Sequence, residues 1–193
     1  MGLDMYLERV KKEAGTFEDV LRIEGELNSV DYEKYEKKYE KLLFEKGRHI
    51  KWKSLFGEVA YWRKANHIHK WFVDNVQNGK DDGGTYLVTK ENIQKLKSVL
   101  DEVINSCELI PGQIHESDQL INGEWVKKYV DGLIIKNTGK AKELLPTQSG
   151  FFFGNTDYDE RYYRDLVYTS HICEAILNFF EFDNYYLTYS ASW

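Results

Sequence analysis

The chain is poor in the residues that divide or cross-link a protein. It contains only two prolines and two cysteines among 193 residues. Cys107 and Cys173 form no CxxC pair, so we expect no disulfide framework and interpret both thiols as small buried apolar groups. No apolar run approaches the ~20 residues that span a bilayer. These absences predict one soluble domain in the cytoplasm, with no membrane partner.

Positive charge is also scarce. The chain has 26 Lys and Arg against 32 Asp and Glu, which gives a net charge of −6. Binding to the phosphate backbone of duplex DNA or RNA needs a basic face, so direct duplex binding is disfavoured. The net charge is compatible with a local basic pocket. It is also compatible with an acidic surface that binds a basic groove on a partner protein.

The familiar motifs of enzymes and cofactor sites are absent from the sequence. It contains no GxxxxGK[ST] phosphate loop, no GxGxxG turn and no GxSxG nucleophile turn. His67 and His69 are two residues apart, which places them on different faces of a helix, whereas a zinc-binding helix needs a spacing of four. We therefore expect no cofactor and no metal, with one histidine packed inside and the other solvated.

Hydrophobic periodicity predicts an α+β fold in one domain over residues 1–193. Alternating apolar residues in Gly2–Lys11 and Asn184–Trp193 predict strands near both ends of the chain. The segments between them predict a small antiparallel sheet covered by several helices. The predicted helices are Phe17–Leu27, Asp31–Glu45, Ala60–Gln77, a helix from the N-cap Thr89 to Asn105, and Asp157–Phe180. The predicted short strands are Tyr86–Val88 and Phe151–Gly154, and His49–Lys53 is predicted to be extended. Short helical turns are predicted at Trp125–Val130 and Lys140–Leu145.

The segment EVAYWRKANHIHKWFVDNVQ, residues 58–77, is the most unusual. If it is helical from Ala60, then Trp62, Asn66 and His69 share one face, with Arg63 close to it. An aromatic face beside an arginine can stack a base and neutralise a phosphate. The plainer interpretation is that the aromatic residues are core and that Arg63 and Asn66 hold a neighbouring loop.

A group of acids follows Gly154. Thr156 or Asp157 is the expected N-cap of the last helix, and acids in its first turn complement the helix dipole. The alternative is that two of the acids in this segment form a pair for acid–base catalysis, the candidates being Asp157, Asp159, Glu160 and Asp165. That chemistry needs one raised pKa, which no sequence pattern displays.

Three blocks of the chain together resemble a family of uncharacterised proteins from bacteriophages, prophages and bacteria. They are MGLDMYL, EVAYWRKANHIHKWFVDNVQ and LLPTQSGFFFGNTDYDERYYRDL. The resemblance implies no catalytic residue. It implies a small accessory protein that counters a host defence system, either by covering a defence protein or by sequestering its nucleotide signal. Asp31–Glu45 and Gly112–Thr138 are particular to this chain and are candidates for its specificity.

These observations lead to one leading hypothesis and two alternatives. The leading hypothesis is a binding protein for a nucleotide-type ligand or a host defence protein, with its site where the helix Ala60–Gln77 meets Ser149–Tyr163. The alternative is an enzyme acting on a phosphorylated or nucleotide substrate, with His69 as acid or base, Asp159 as its partner and Arg63 as anion clamp. The third is self-association through the tyrosines of Asp31–Glu45. The candidate ligand-binding residues are Trp62, Arg63, Lys64, Asn66, His69, Ser149, Tyr158, Asp159 and Tyr162.

Overall fold

The computed structural model describes residues 2–40, 44–45, 48–49, 56–121 and 123–193. The strands in chain order are β1 (Asp4–Lys11), β2 (Phe44–Glu45), β3 (Arg48–His49), β4 (Phe56–Arg63), β5 (Tyr86–Val88), β6 (Leu109–Ile121), β7 (Glu124–Ile135) and β8 (Tyr185–Ser192). The helices are α1 (Phe17–Leu27), α2 (Tyr32–Lys38), α3 (Asn66–Asn75), α4 (Lys90–Ser106), α5 (Gly139–Leu144) and α6 (Glu160–Phe179).

A four-stranded antiparallel sheet in the order β4-β1-β8-β5 forms the centre of the fold. The first and last strands, β1 and β8, are neighbours in it. Leu3, Met5 and Leu7 are buried on one face, as their alternation predicts. The expected α+β fold, with a small antiparallel sheet that contains both terminal strands and is covered by helices, is confirmed.

The predicted helix Ala60–Gln77 is wrong in its first part. Residues up to Arg63 form β4, and α3 begins only at Asn66. Ala60 and Trp62 are buried while Tyr61 and Arg63 are exposed, which is the period of a strand. Pairing with β1 therefore outweighs the helical spacing. Trp62 lies in the sheet and shares no helical face with Asn66.

The helices α4 and α6 pack against each other and cover the sheet with aliphatic residues. Thr89 caps α4 as predicted, through a capping box with Asn92. The start of α6 differs from the prediction, because its N-cap is Asp159 and not Thr156 or Asp157. Two apolar residues of α6, Ala175 and Phe179, are exposed, and Phe179 is 82% exposed. Among the described residues, no helix combines the length and apolarity that crossing a membrane requires.

The strands β6 and β7 pair as a long β-hairpin, where the sequence predicted a helical turn at Trp125–Val130. Asn122-Gly123 in the sequence is the dipeptide that short hairpin turns favour, and Gly123 has a φ of 88°. The segment is rich in β-branched and aromatic residues, which pack well in strands. Pro111 is tolerated because each strand of a two-stranded hairpin has a free edge.

Two other short predictions change. Phe151–Gly154 is a turn and not a strand, because Phe152 and Gly154 have left-handed φ values of 68° and 88°. The helix predicted over Asp31–Glu45 is wrong in its last part, because α2 ends at Lys38, Tyr39 and Glu40 form a turn, and Phe44–Glu45 is the strand β2. Tyr39 is half-buried, and its hydroxyl donates to Glu26 of α1. Residues 41–43 and most of the predicted extended segment His49–Lys53 lie outside the described residues.

Candidate functional site

A cleft of about 480 Å³ opens between the start of α3, the base of the hairpin and the start of α6. It gathers segments that are far apart in the sequence, since β4, β6, the loop before α6 and α6 itself all contribute. Its volume lies in the range of pockets that bind small molecules. The lining residues are Arg63, Lys64, Asn66, His67, His115, Glu116, Asp118, Thr147, Gly154, Asn155, Asp157, Asp159, Arg161, Tyr162, Arg164 and Asp165.

Asn66 holds one wall of the cleft in place. Its buried amide Nδ2 donates to the carbonyls of Phe153, at 3.1 Å, and Asn155, at 2.8 Å. Its Oδ1 accepts from the backbone N–H of Gln148 at 3.0 Å. All three bonds reach the loop before α6, so Asn66 serves the loop and has its main hydrogen-bonding capacity filled. The plainer of the two sequence interpretations describes this side chain.

Lys64 enters the cleft through an unusual backbone turn between β4 and α3. Its φ is 61°, and its backbone N–H donates to the carbonyl of Leu3 at 2.7 Å. Gly154 lies against it: a Cβ added at Gly154 would stand 3.0 Å from the Lys64 Cβ, and Gly154 itself has a φ of 88°. Glycine is therefore required there for both space and conformation.

The first turn of α6 forms the opposite wall and also holds the hairpin. Asp159 Oδ1 accepts from the N–H groups of Arg161, at 2.9 Å, and Tyr162, at 3.2 Å, as an N-cap does. Arg161 Nη1 donates to the carbonyl of His115 in β6 at 3.0 Å. Glu160 accepts from the N–H of Leu133 in β7 at 3.0 Å. These contacts fix the hairpin base over the cleft.

A buried imidazole lies beside this wall. His67 packs against the ring of Tyr162 in a tilted arrangement, with 4.2 Å between ring centroids and 37° between the ring planes. The Tyr162 hydroxyl donates to the carbonyl of Leu145 at 2.9 Å. Burial lowers the pKa of His67 to about 3, so the ring is neutral at physiological pH. Burial also raises the pKa of the Tyr162 phenol. Both histidines of α3 are buried, which corrects the prediction that one is solvated.

Three cations stand at the cleft with little or no compensation. The Arg63 side chain is 59% exposed, and its Nε is 3.9 Å from Asp4 Oδ1. Lys64 and Arg164 line the same cleft and make no side-chain hydrogen bond or ion pair with the described residues. Two of the acids nearby are engaged elsewhere, since Glu116 pairs with Lys128, and Asp118 with His115 at 2.9 Å. The cleft lining therefore carries charges of both signs, with Lys64 and Arg164 as cations that no acid among the described residues pairs.

Asp165 is a carboxyl group of the cleft lining whose pKa is raised. Burial raises its pKa to about 6, the charge of Asp159 raises it further, and Arg164 opposes the shift. A carboxyl group that titrates near neutral pH can give and take a proton under physiological conditions.

The structure brings together some of the predicted site residues and separates others. Arg63, Lys64, Asn66, Asp159 and Tyr162 line the cleft. The other four predicted residues, which are absent from its lining, are Trp62, His69, Ser149 and Tyr158.

Each of the four separated residues has another position. Trp62 is buried and donates to Thr169 of α6 at 2.9 Å, and Ser149 is exposed on the loop. Tyr158 accepts at its hydroxyl from the N–H of Thr147 at 3.3 Å, behind the cleft wall. They support the fold around the cleft.

His69 is committed to a buried network. It is 0% exposed, its Nε2 lies 3.0 Å from Asp81 Oδ1, and its Nδ1 lies 2.7 Å from the Tyr189 hydroxyl. Because a carboxylate only accepts, Nε2 carries the proton and Nδ1 accepts from the hydroxyl. Burial lowers the pKa of His69, and Asp81 partly offsets this. The structure pairs His69 with Asp81, while Asp159 caps α6.

Several lining residues were missed by the sequence reasoning. Arg161 and Arg164 are three residues apart in α6, close to Asp159, so the position of Asp159 gave a signal that could have found them. The sequence gave no signal for His115, because its position at the cleft depends on a hairpin that packs onto a helix distant in the sequence. Among the described residues, no group of three or more metal-ligating side chains is arranged to hold a metal ion.

The two thiols lie apart from the cleft. Cys173 is buried and Cys107 half-buried, and burial raises the pKa of the Cys173 thiol to about 12.

Comparisons of the chain with models of protein families, with curated proteins and with solved structures find no match.

Proposed function

We propose that this protein is a non-catalytic binding protein that takes a small anionic ligand of the nucleotide type in the cleft. The observation that carries the proposal is that three cations, Arg63, Lys64 and Arg164, line a cleft of about 480 Å³. Lys64 and Arg164 make no side-chain hydrogen bond or ion pair with the described residues, and the exposed Arg63 is 3.9 Å from Asp4, so these cations retain capacity for charge-assisted bonds to a phosphate.

The biological role in this proposal follows from the resemblance to proteins of phages and prophages. In a host cytoplasm, a protein that binds a nucleotide signal lowers its free concentration and blunts the defence that depends on it. A host defence protein that places an anionic loop in the cleft is the second form of the same proposal. Self-association through α2 is not needed for either form.

The cleft favours recognition by charge and hydrogen bonds over base stacking. Among its described lining residues, Tyr162 has the only phenol or phenyl ring, and that ring is buried against His67. The aromatic walls expected from Trp62 and Tyr158 are therefore lacking. Affinity should depend strongly on the phosphate and on salt concentration.

Titration calorimetry with cyclic and linear nucleotides tests this proposal. Replacing Arg164 by Gln should weaken binding about tenfold, because a charge-assisted hydrogen bond contributes roughly 1.5–3 kcal/mol. Arg22→Gln is the matched control, since Arg22 pairs with Asp19 on α1 and does not line the cleft. If no nucleotide releases or absorbs heat and a host protein co-purifies instead, the second form replaces the first.

The raised pKa of Asp165 favours one alternative function, an enzyme using acid–base catalysis on a phosphorylated substrate. In this alternative Asp165 takes the acid–base role first assigned to His69, and Arg63 remains the anion clamp. Its activity should rise or fall with a midpoint near pH 6, where Asp165 titrates. Turnover that survives Asp165→Asn would contradict the assignment.

The same carboxyl group predicts a measurable change in stability. The folded pKa of Asp165, about 6, lies above its ordinary value of 3.8, so ionising it in the fold costs free energy above pH 6 and costs nothing below pH 4. Asp165→Asn should thus stabilise the protein by about 1–3 kcal/mol at pH 7 and by much less at pH 4. Urea unfolding at both pH values measures the difference, and an equal effect at both would contradict it.

A further inference from the structure

Three buried polar atoms belong to residues that line the cleft and have no hydrogen-bond partner among the described residues. They are His67 Nε2, Asn155 Nδ2 and Asp159 Oδ2. The fourth such atom in the described part of the chain is Gln77 Oε1, and Gln77 does not line the cleft. Buried polar atoms are normally paired, so this concentration in one place calls for a partner that the protein itself does not supply.

The chemistry of two of these atoms is fixed by their neighbours. Asp159 is only 2% exposed, and its Oδ1 already accepts from two N–H groups of α6, so Oδ2 is an additional acceptor. Asn155 Oδ1 accepts from the N–H of Asp157 at 2.5 Å, which assigns the other amide atom as a donor. The wall of the cleft thus offers one carboxylate acceptor and one amide donor.

We propose that Asp159 and Asn155 bind hydroxyl groups, so that the ligand is a phosphorylated polyol, such as the ribose phosphate part of a nucleotide. A hydroxyl both donates and accepts, and neighbouring hydroxyls of a sugar satisfy the carboxylate and the amide at once. This inference rests on the proposed function, because the cations Arg63, Lys64 and Arg164 bind the phosphate. The cations then provide affinity for the anion, and the two polar side chains provide selectivity.

Selectivity for hydroxyl-bearing ligands should be strong, because a ligand without hydroxyls leaves buried polar atoms of the protein unpaired. A site built to hydrogen-bond a hydroxyl rejects an analogue without it by a large factor, since the buried partners remain unpaired. His67 Nε2 adds a third unpaired atom in the same wall, next to Tyr162. A ligand that carries only an anion has no donor for the free carboxylate oxygen of Asp159 and leaves it unpaired.

Titration calorimetry with two matched probes tests the inference. Ribose 5-phosphate carries the hydroxyls, and tetrahydrofurfuryl phosphate has a similar ring and the same phosphate without them. We expect ribose 5-phosphate to bind at least tenfold more tightly. Equal affinities would overturn the role of Asp159 and Asn155 while leaving the anion site intact. Heat from neither probe would overturn the anion site as well, so the two failures are distinguishable.

A variant at Asp159 gives a second test. Serine is also a good N-cap, so Asp159→Ser should keep the start of α6 while removing the free carboxylate oxygen. The preference for ribose 5-phosphate over the hydroxyl-free probe should fall to within about threefold. Asp159→Asn keeps the shape and the cap but presents a neutral amide. Its preference for ribose 5-phosphate should lie between that of the parent protein and that of Asp159→Ser. Circular dichroism checks that both variants retain their helices. An undiminished preference in Asp159→Ser would overturn the proposal.

Discussion

Replacing Asn66 by Asp is expected to destabilise the fold by about 3–5 kcal/mol, because it buries a charge without a partner. The amide Nδ2 of Asn66 now donates to two backbone carbonyls, those of Phe153 and Asn155. A carboxylate oxygen in its place would face both carbonyl oxygens and could donate to neither. The side chain is almost fully buried, so water cannot compensate for the loss.

The companion variants separate this effect from a general sensitivity of the chain. Asn66→Ala removes all three bonds without adding a charge and should cost about 2–3 kcal/mol. Asn178→Ala changes the same residue type on the exposed surface of α6 and should stay within about 0.5 kcal/mol. Guanidinium unfolding at pH 7 measures all three. A loss below about 1 kcal/mol for Asn66→Asp would show that the loop does not depend on this amide.

Asn66 also connects stability with binding. Its three bonds hold residues 148–155, and this loop carries Asn155 and Gly154 into the cleft. Weakening the anchor should therefore reduce ligand affinity even in a variant that remains folded at the assay temperature. Asn66 acts as a positioning residue, and the cations supply the contacts to the ligand.

The local parts of the fold were predictable because their signals are local. The capping box of Thr89 and Asn92 and the alternation of Leu3, Met5 and Leu7 each lie within a few residues of chain, and both are observed. The segment 58–77 was harder because its first part has distant partners in β1, where Tyr61 pairs with Tyr6 and donates a hydrogen bond to Asp4, 57 residues away. Strand pairing of this kind overrides helical spacing and leaves little trace in one sequence.

The cleft was only partly predictable for the same reason. The sequence correctly directed attention to the segments near Asn66 and Asp159, and the structure places these two residues in one cleft lining. It could not show that Trp62 turns into the core while Arg63, one residue on, turns outward. It also gave no sign of the unpaired atoms of Asn155 and Asp159, since pairing is a property of three-dimensional contacts.

His67 should make the protein sensitive to mild acid. Burial lowers its folded pKa to about 3, whereas an unfolded histidine titrates near 6.5. Between these values the unfolded chain binds the proton and the folded chain does not, so stability is complete above pH 6.5 and is lost progressively as the pH falls toward 3. At about 1.4 kcal/mol per unit, the loss from this group reaches about 2 kcal/mol at pH 5.

The variant His67→Phe tests this by comparing pH dependence and not stability alone. Phenylalanine keeps an aromatic ring against Tyr162 and carries no titratable group, so the fall in unfolding free energy from pH 7 to pH 5 should shrink by about 2 kcal/mol. The comparison with the parent cancels the other groups, since the lowered pKa of His69 acts in the same direction and the raised pKa of Asp165 in the opposite one. Even a variant that is less stable at both pH values remains informative. If its slope with pH equals that of the parent, His67 is not held neutral by the fold.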